Sequence, residues 1–253
     1  MHYVCSDIHG QKGYFMQILE TIDFGADDTM YVIGDVIDKG PDSISLLQFI
    51  LEQPNIHMLI GNHEHMMIQG ELFDDPRQFS QWIYNKGQKT KEQLDELGED
   101  EKMALLRKLY QLPVVMPDIT VGDKRYYLAH ACHALKPVKT NVPYRDLTVR
   151  EIEDIVWSRE YKNPEPSRQG KEFGDLYSAY PNTTLIIGHT PVYKCSYGIC
   201  TSAGYPRISR SCSGHLINLD CGCARGLPLG CLRLEDGKEF YATLPQGQHI
   251  VMR

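Results

Sequence analysis

Apolar positions along this chain follow two different periods. Tyr3–Ser6, Met30–Ile33 and Ile56–Ile60 are short, nearly continuous apolar runs. Tyr14–Ile22 and Ser43–Glu52 instead carry apolar residues three and four apart: Phe15, Ile18, Leu19 and Ile22, then Ile44, Leu47, Ile50 and Leu51. The runs fit buried strands and the spaced residues fit core-facing helices, so the first third predicts β-α-β-α-β feeding a mostly parallel sheet. From His65 to Leu112 the chain turns charged and helical, with Trp82, Ile83, Leu94, Leu97, Met103, Leu106 and Leu109 as anchors, and reads as a helical insertion. Pro113 and Pro117 bracket the return to strand, and Val114–Thr120, Gly122-Asp123 and Arg125–Ala129 predict a hairpin. Glu160–Asp175 and Lys194–Ser213 read as loops, Thr184–Ile187 as a buried strand, and Leu216–Leu219, Leu229–Leu234 and Glu239–Leu244 as closing strands. No repeat or linker divides the pattern, so residues 1–253 are expected to form one α/β domain.

Composition narrows the function more than the fold. A chain of 253 residues, 42% hydrophobic and 23% charged, has ordinary globular composition. A formal charge of −7 gives no basic footprint for a nucleic acid polymer, although small anionic substrates stay open because a bound cation outweighs net charge locally. The start lacks the pattern of a secretory signal and no apolar run approaches the roughly 18 residues that cross a bilayer, so a cytoplasmic enzyme without a membrane partner is expected. The eight cysteines read mostly as reduced, buried thiols. Their spacing gives no two Cys-x-x-Cys pairs for zinc, while a redox-sensitive pair of Cys221 with Cys223 stays open.

The chemistry lies in repetition. Asp7-Ile8-His9-Gly10, Gly34-Asp35-Val36-Ile37-Asp38, Gly61-Asn62-His63-Glu64, His130 and Gly188-His189-Thr190 each follow a strand-like run. Ligands of α/β sheets bind outside the carboxyl ends of strands, so five polar clusters at five such ends are expected to converge on one crevice. Asp, His and Asn are donors for Mn²⁺, Fe or Zn²⁺, and together they predict a two-metal site. Such a site needs one carboxylate able to touch both ions about 3.5–4 Å apart. Asp35 is the natural bridge.

These five motifs, in this order from Asp7 to about Gly222, resemble the calcineurin-like metallophosphoesterases, and within them the bacterial and phage serine/threonine phosphoprotein phosphatases. The resemblance implies a four-layer α/β/β/α sandwich of two mixed sheets flanked by helices. It implies one metal on Asp7, His9 and Asp35, and a second on Asp35, Asn62, His130 and His189. Manganese is the usual activating ion of bacterial relatives, with iron and zinc suited to the same donors. It further implies in-line attack on phosphorus by a hydroxide bridging the ions, with no phosphoenzyme, His63 as proton donor to the leaving group, and Asp38 orienting His63. Arg159 and Lys39 are the candidates for gripping phosphate oxygens. Lys39 stands where the family usually has arginine, so weaker, monodentate phosphate binding is expected there. Ala131 replaces a frequent glycine and is expected to restrict the backbone beside the metals. Asp220 resembles a late Asp-x-Gly of bacterial relatives and is a further candidate for lining the site. His2, His57, His65, His133, His215 and His249 fit no ligand pattern, although His133 is close enough to His130 to reach substrate.

Three functions follow. The first is a metal-dependent phosphomonoesterase acting on phosphoserine or phosphothreonine in proteins, favoured over its neighbours by Asp38. The second is a hydrolase of dinucleoside polyphosphates or other phosphorylated small molecules on the same core. The third is a non-catalytic phosphate-binding module.

Overall fold

A computed structural model describes residues 1–134, 136–164 and 180–243. Residues 165–175 of an expected loop, Leu244 at the end of the last expected strand, and His249 lie outside the described residues. The chain begins β1 (His2–Cys5), α1 (Lys12–Thr21), β2 (Thr29–Ile33), α2 (Ser43–Glu52) and β3 (Ile56–Leu59), the alternation that the two apolar periods predict. The helical insertion follows as α3 (Asn62–Leu72), α4 (Pro76–Trp82), α5 (Gln88–Asp95) and α6 (Glu99–Tyr110). It starts three residues before His65, because Gly61 and Asn62 already turn into the helix.

The hairpin is β4 (Pro113–Val121) and β5 (Lys124–Ala129). Pro117 lies inside β4 rather than bounding it, and the register slips between Met116 and Ile119, where proline has no N–H to give the ladder. After β6 (Val142–Pro143) comes α7 (Val149–Val156), a helix absent from the apolar reading. Its sequence signal was the cap: Thr148 Oγ1 accepts from Glu151 N at 3.3 Å while Glu151 accepts from Thr148 N at 2.9 Å. Strand β7 (Thr183–Ile187) follows. The expected loop at Lys194–Ser213 is more ordered than its Gly and Ser content indicated, holding β8 (Ile199–Cys200), β9 (Pro206–Arg207) and β10 (Ser209–Ser211). The chain closes with β11 (Leu216–Asn218), β12 (Leu229–Arg233) and β13 (Glu239–Ala242).

Two mixed sheets result, in the orders β13-β12-β1-β2-β3 and β10-β11-β7-β5-β4-β6, with β8 and β9 forming a separate ribbon. Strands β1, β2 and β3 are mutually parallel, as are β5, β7 and β11. Successive side chains leave opposite faces of a strand. Accordingly Val4, Tyr31, Ile33, Leu59, Leu128 and Ile186 fill the layer between the sheets, while their neighbours Cys5, Met30, Val32, Met58, Tyr127 and Leu185 face outward into the larger cluster shared with the helices. Near-continuous apolar runs are therefore required: both faces of these strands are covered. Among the described residues, no helix is long and apolar enough to cross a membrane.

One buried carboxylate fixes the loops that leave β2 and β3. Glu64, in the first turn of α3, accepts from Asp35 N at 2.9 Å, Val36 N at 2.8 Å, Ile37 N at 3.3 Å and Gly61 N at 2.9 Å. Burial pushes its carboxyl upward, and the amide donors hold it back. A glutamine has one acceptor oxygen where this pocket offers four donors, so Glu64→Gln is expected to cost about 3 kcal/mol. For a chain of this size that is a fall in melting temperature of roughly 6–12 °C, read by circular dichroism. Unchanged melting would mean that the amides have other acceptors.

Candidate active site

The carboxyl ends of β1, β2, β3, β5 and β7 each deliver one polar cluster within three residues of the strand. Backbone bonds stitch these ends together: His9 N to Asp35 O at 2.9 Å, Asp7 N to Gly34 O at 3.2 Å, and Gly188 N to His130 O at 2.8 Å. Two contacts cross from one sheet to the other, His189 N to Asp7 Oδ2 and His130 Nδ1 to Ile33 O, both 2.9 Å. The turns are tight and strained. Of the twelve described non-glycine residues with positive φ, six are Asp7, His9, Asp35, Asp38, Lys39 and His189. Each such backbone costs about 1–3 kcal/mol and persists only where its surroundings over-determine it. Gly34, at φ +87°, leaves no room for a side chain, since a Cβ there would lie 2.6 Å from Gly61 Cα.

The structure brings Asp7, His9, Asp35, Asn62, His130 and His189 into one buried cluster. Asp35 faces two ways. Its Oδ2 lies 3.5 Å from His9 Nε2 and 3.8 Å from His63 Nε2, and its Oδ1 lies 3.4 Å from His130 Nε2. Donor atoms fall into two groups that share this carboxylate: His9, Asp35 and His63, and Asp35, His130 and His189.

The hydrogen bonds decide what these groups can hold. Carbonyl oxygens only accept, so His9 and His130 carry protons on Nδ1, donating to Ile37 O and Ile33 O at 2.9 Å each. In the neutral rings Nε2 is then a bare lone pair. That of His130 points at Asn62 Oδ1 at 3.0 Å, and His189 Nε2 is buried with no partner among the described residues. Protonation does not relieve the crowding. Burial, and then Lys39 and His63, hold His9 well below the usual imidazole range, and burial with His130 does the same for His189. Burial and then the Asp7 and Glu64 carboxylates push Asp35 up. Converging imidazole lone pairs, an amide oxygen and carboxylates are what divalent cations require, so the residues fit a metal pair.

Beside this cluster His63 Nδ1 and Asp38 Oδ2 lie 2.6 Å apart. Burial raises Asp38 to about 7 and lowers His63, whose second cause is Lys39. Trp82, expected only as a core anchor, donates its indole N–H to both Asp38 oxygens, at 2.9 and 3.1 Å. A tryptophan in a charged insertion gave no sign of that role. Arg159 donates to Thr190 Oγ1 at 3.1 Å and, with Lys39, lines a cleft of about 750 Å³ above Asp7, His9 and His189. Lys39 Nζ sits 2.9 Å from the Nε2 of His9, one of the expected metal ligands. Asp220 is buried and lines the same cleft, its Oδ1 accepting from Gly222 N at 2.9 Å.

Other expectations resolve locally. Ala131 is buried without a positive φ, so its methyl group brings no backbone strain. His133 is bonded to the Tyr161 hydroxyl at 2.8 Å. All eight cysteines are free thiols; Cys200 is exposed, Cys195 and Cys212 are half-buried and the rest are buried. Among the described residues, none joins a metal-holding group.

The lone-pair crowding generates a stability prediction. Mn²⁺, Co²⁺ or Zn²⁺ at about a hundred times its Kd adds about 2.7 kcal/mol to the folded state, raising the melting temperature by roughly 5–11 °C. Mg²⁺, which prefers oxygen ligands, is expected to give less. Differential scanning fluorimetry of chelator-treated protein reads both, and no shift with any of the four would show that the cluster is not a cation site.

The chain is similar to several known proteins. Serine/threonine-protein phosphatase 2 of Escherichia coli (strain K12) is 31% identical over 130 residues, covering 51% of this chain and 57% of that protein. The symmetrical bis(5'-nucleosyl)-tetraphosphatase of Erwinia tasmaniensis is 25% identical over 181 residues, covering 70% of this chain and 58% of that protein. The chain thus spans a little over half the length of either relative. A serine/threonine phosphatase structure from Saccharomyces cerevisiae superposes with a TM-score of 0.53 at 17% identity, covering 98% of this chain and 81% of that one, which shows the shared fold. The family model for calcineurin-like phosphoesterases matches residues 3–217 and so takes in all five polar clusters at once. With its two mixed sheets and its buried metal-ligand groups, the chain belongs to the calcineurin-like phosphoesterases, a family of hydrolytic, dimetal-dependent phosphatases.

Proposed function

We propose that the protein is a metal-dependent phosphomonoesterase acting on phosphoserine and phosphothreonine in proteins. The observation that carries this reading is the Asp38–His63 pair, 2.6 Å apart, beside the two-faced carboxylate of Asp35. A serine or threonine alkoxide is a poor leaving group and needs a proton as the P–O bond breaks. A phosphoanhydride releases an already stable phosphate and needs none.

Asp7, His9 and Asp35 would hold one divalent ion, and Asp35, Asn62, His130 and His189 the other. Bound there, such ions activate water and neutralise charge on the phosphoryl oxygens. His63 gives a proton to the departing oxygen, and Asp38 stabilises the ring orientation through Nδ1. Trp82 holds Asp38 in place, so the acid is set by packing rather than by a mobile loop. Arg159, braced by Thr190, binds the phosphate oxygens, and Lys39 adds a point charge once its ammonium leaves His9. Manganese is the metal proposed, and the eight free thiols support a cytoplasmic setting.

Hydrolysis of dinucleoside polyphosphates is a second reading. Similarity to a symmetrical bis(5'-nucleosyl)-tetraphosphatase and the cationic lining of the cleft favour it. Phosphate release from a phosphoserine/phosphothreonine peptide and from diadenosine tetraphosphate, each with and without Mn²⁺ after metal stripping, separates the two. Metal-dependent turnover of the peptide is expected. Turnover of the nucleotide alone would transfer the assignment to the second reading.

Replacing His63 tests the acid. His63→Asn is expected to lower kcat on a phosphoserine peptide by about 10²–10⁴-fold, and to lower it much less on p-nitrophenyl phosphate, whose leaving group needs little protonation. Metal content by atomic emission should stay near that of the unmodified protein. Loss of metal would instead assign His63 to the ligand group it shares with His9 and Asp35.

A further inference from the structure

The cleft above the buried cluster has a charge pattern that removal of one phosphate does not need. Six cationic residues line it (Lys39, Lys86, Lys89, Arg159, Lys194 and Arg225), against the acids Asp7 and Asp220, in a chain whose formal charge is −7. Lys39 and Arg159 lie beside the ligand cluster, bonded to His9 and Thr190. The other four also line the cleft and come from other parts of the chain. Lys86 and Lys89 come from the turn at Ile83–Gly87 and the helix after it, and Lys194 and Arg225 from the loops following β7 and β11.

These four side chains are exposed and, among the described residues, have no side-chain hydrogen bond or ion pair that would occupy their charge. Partial burial holds Lys194 below the usual lysine range, and the nearby Arg225 and Arg159 add to the effect. The placement is also built. Lys86 has φ +78°, left-handed backbone that a lysine does not adopt freely, and Gly87 beside it packs against the Trp82 ring that bonds Asp38. The turn that carries the cations is thus braced on the residue that holds the Asp38–His63 pair.

We propose that Lys86, Lys89, Lys194 and Arg225 form a second anion subsite, which binds a phosphate group of the substrate neighbouring the one that is removed. The inference rests on the hydrolytic reading above and adds to it that the preferred substrate is multiply phosphorylated. A cleft of about 750 Å³ lies within the usual range of small-ligand pockets and has room for more than one phosphoryl group. The neighbouring phosphate comes either from an adjacent phosphorylated residue of a peptide or from the next unit of a nucleotide polyphosphate chain.

The test compares the Mn²⁺-loaded protein with the double variants Lys86→Gln/Lys89→Gln and Lys194→Gln/Arg225→Gln. KM is measured for p-nitrophenyl phosphate, for a peptide with two adjacent phosphoserines and for diadenosine tetraphosphate. In at least one double variant, the ratio of KM for a multiply phosphorylated substrate to KM for p-nitrophenyl phosphate is expected to rise about tenfold. A rise with the peptide alone assigns the neighbouring phosphate to a protein substrate, and a rise with the dinucleotide alone assigns it to a polyphosphate chain. An unchanged ratio for both overturns the subsite. Absence of turnover of all three by the unmodified protein would be a failure of the hydrolytic reading. The subsite is then decided by calorimetry with pyrophosphate and orthophosphate: tighter pyrophosphate binding that is lost in the variants supports it, and equal binding of the two anions by the unmodified protein overturns it.

Discussion

Four backbone amides bound by one buried carboxylate hold this site together. Glu64 ties the Asp35–Ile37 loop to Gly61, so the ends of β2 and β3 cannot separate without leaving several N–H groups unsatisfied in the interior. Asp35 then has a fixed backbone, and His63 N donates to its Oδ1 at 3.1 Å. Asp35 and the proposed acid His63 are thereby positioned by bonds within the protein, before any ligand contributes. Such preorganisation fits a site in which strained φ angles gather, because strain survives only where the surroundings dictate the conformation.

A second constraint is electrostatic. Protein interiors rarely bury this many titratable groups together, and here desolvation drives imidazoles and carboxylates alike toward their neutral forms. The imidazoles keep lone pairs directed inward because Ile33 O and Ile37 O take the opposite ring protons. Those two carbonyls belong to the same β2 end and following loop that Glu64 restrains. Backbone geometry and ring tautomer are thus consequences of one packed corner.

The helical insertion links this corner to the cleft above it. Trp82 lies at the end of α4, where Asp75 caps the start by accepting from Arg77 N at 2.8 Å and Gln78 N at 3.2 Å and Pro76 fixes the first turn. Its indole reaches down to Asp38, while the turn that follows carries Lys86 to the cleft. The segment thus contributes to the core it shares with the strands, to the support of the Asp38–His63 pair and to the charge lining the cleft.

Much of this was legible in the chain itself. Two apolar periods gave the alternation of β1 to β3 with α1 and α2, because strands covered on both faces must be apolar throughout and helices covered on one face must not be. Five polar clusters at strand ends, in order, were enough to expect one crevice, since parallel strands bring their carboxyl ends to the same edge. Helix α7 escaped the apolar reading because its signal lies in a capping box, and β8 to β10 escaped because short irregular strands follow from pairing partners rather than composition. Likewise, Glu64 stood in a motif without a role, Trp82 looked like core, and Lys86, Lys89 and Arg225 stood in no motif. The sequence by itself determined residue types, their periods and their order, and hence the α/β class and the family. Only the tertiary structure decided which tautomers point inward, which carboxylate binds amides and which cations line one cleft, because those depend on distances between residues far apart in the chain.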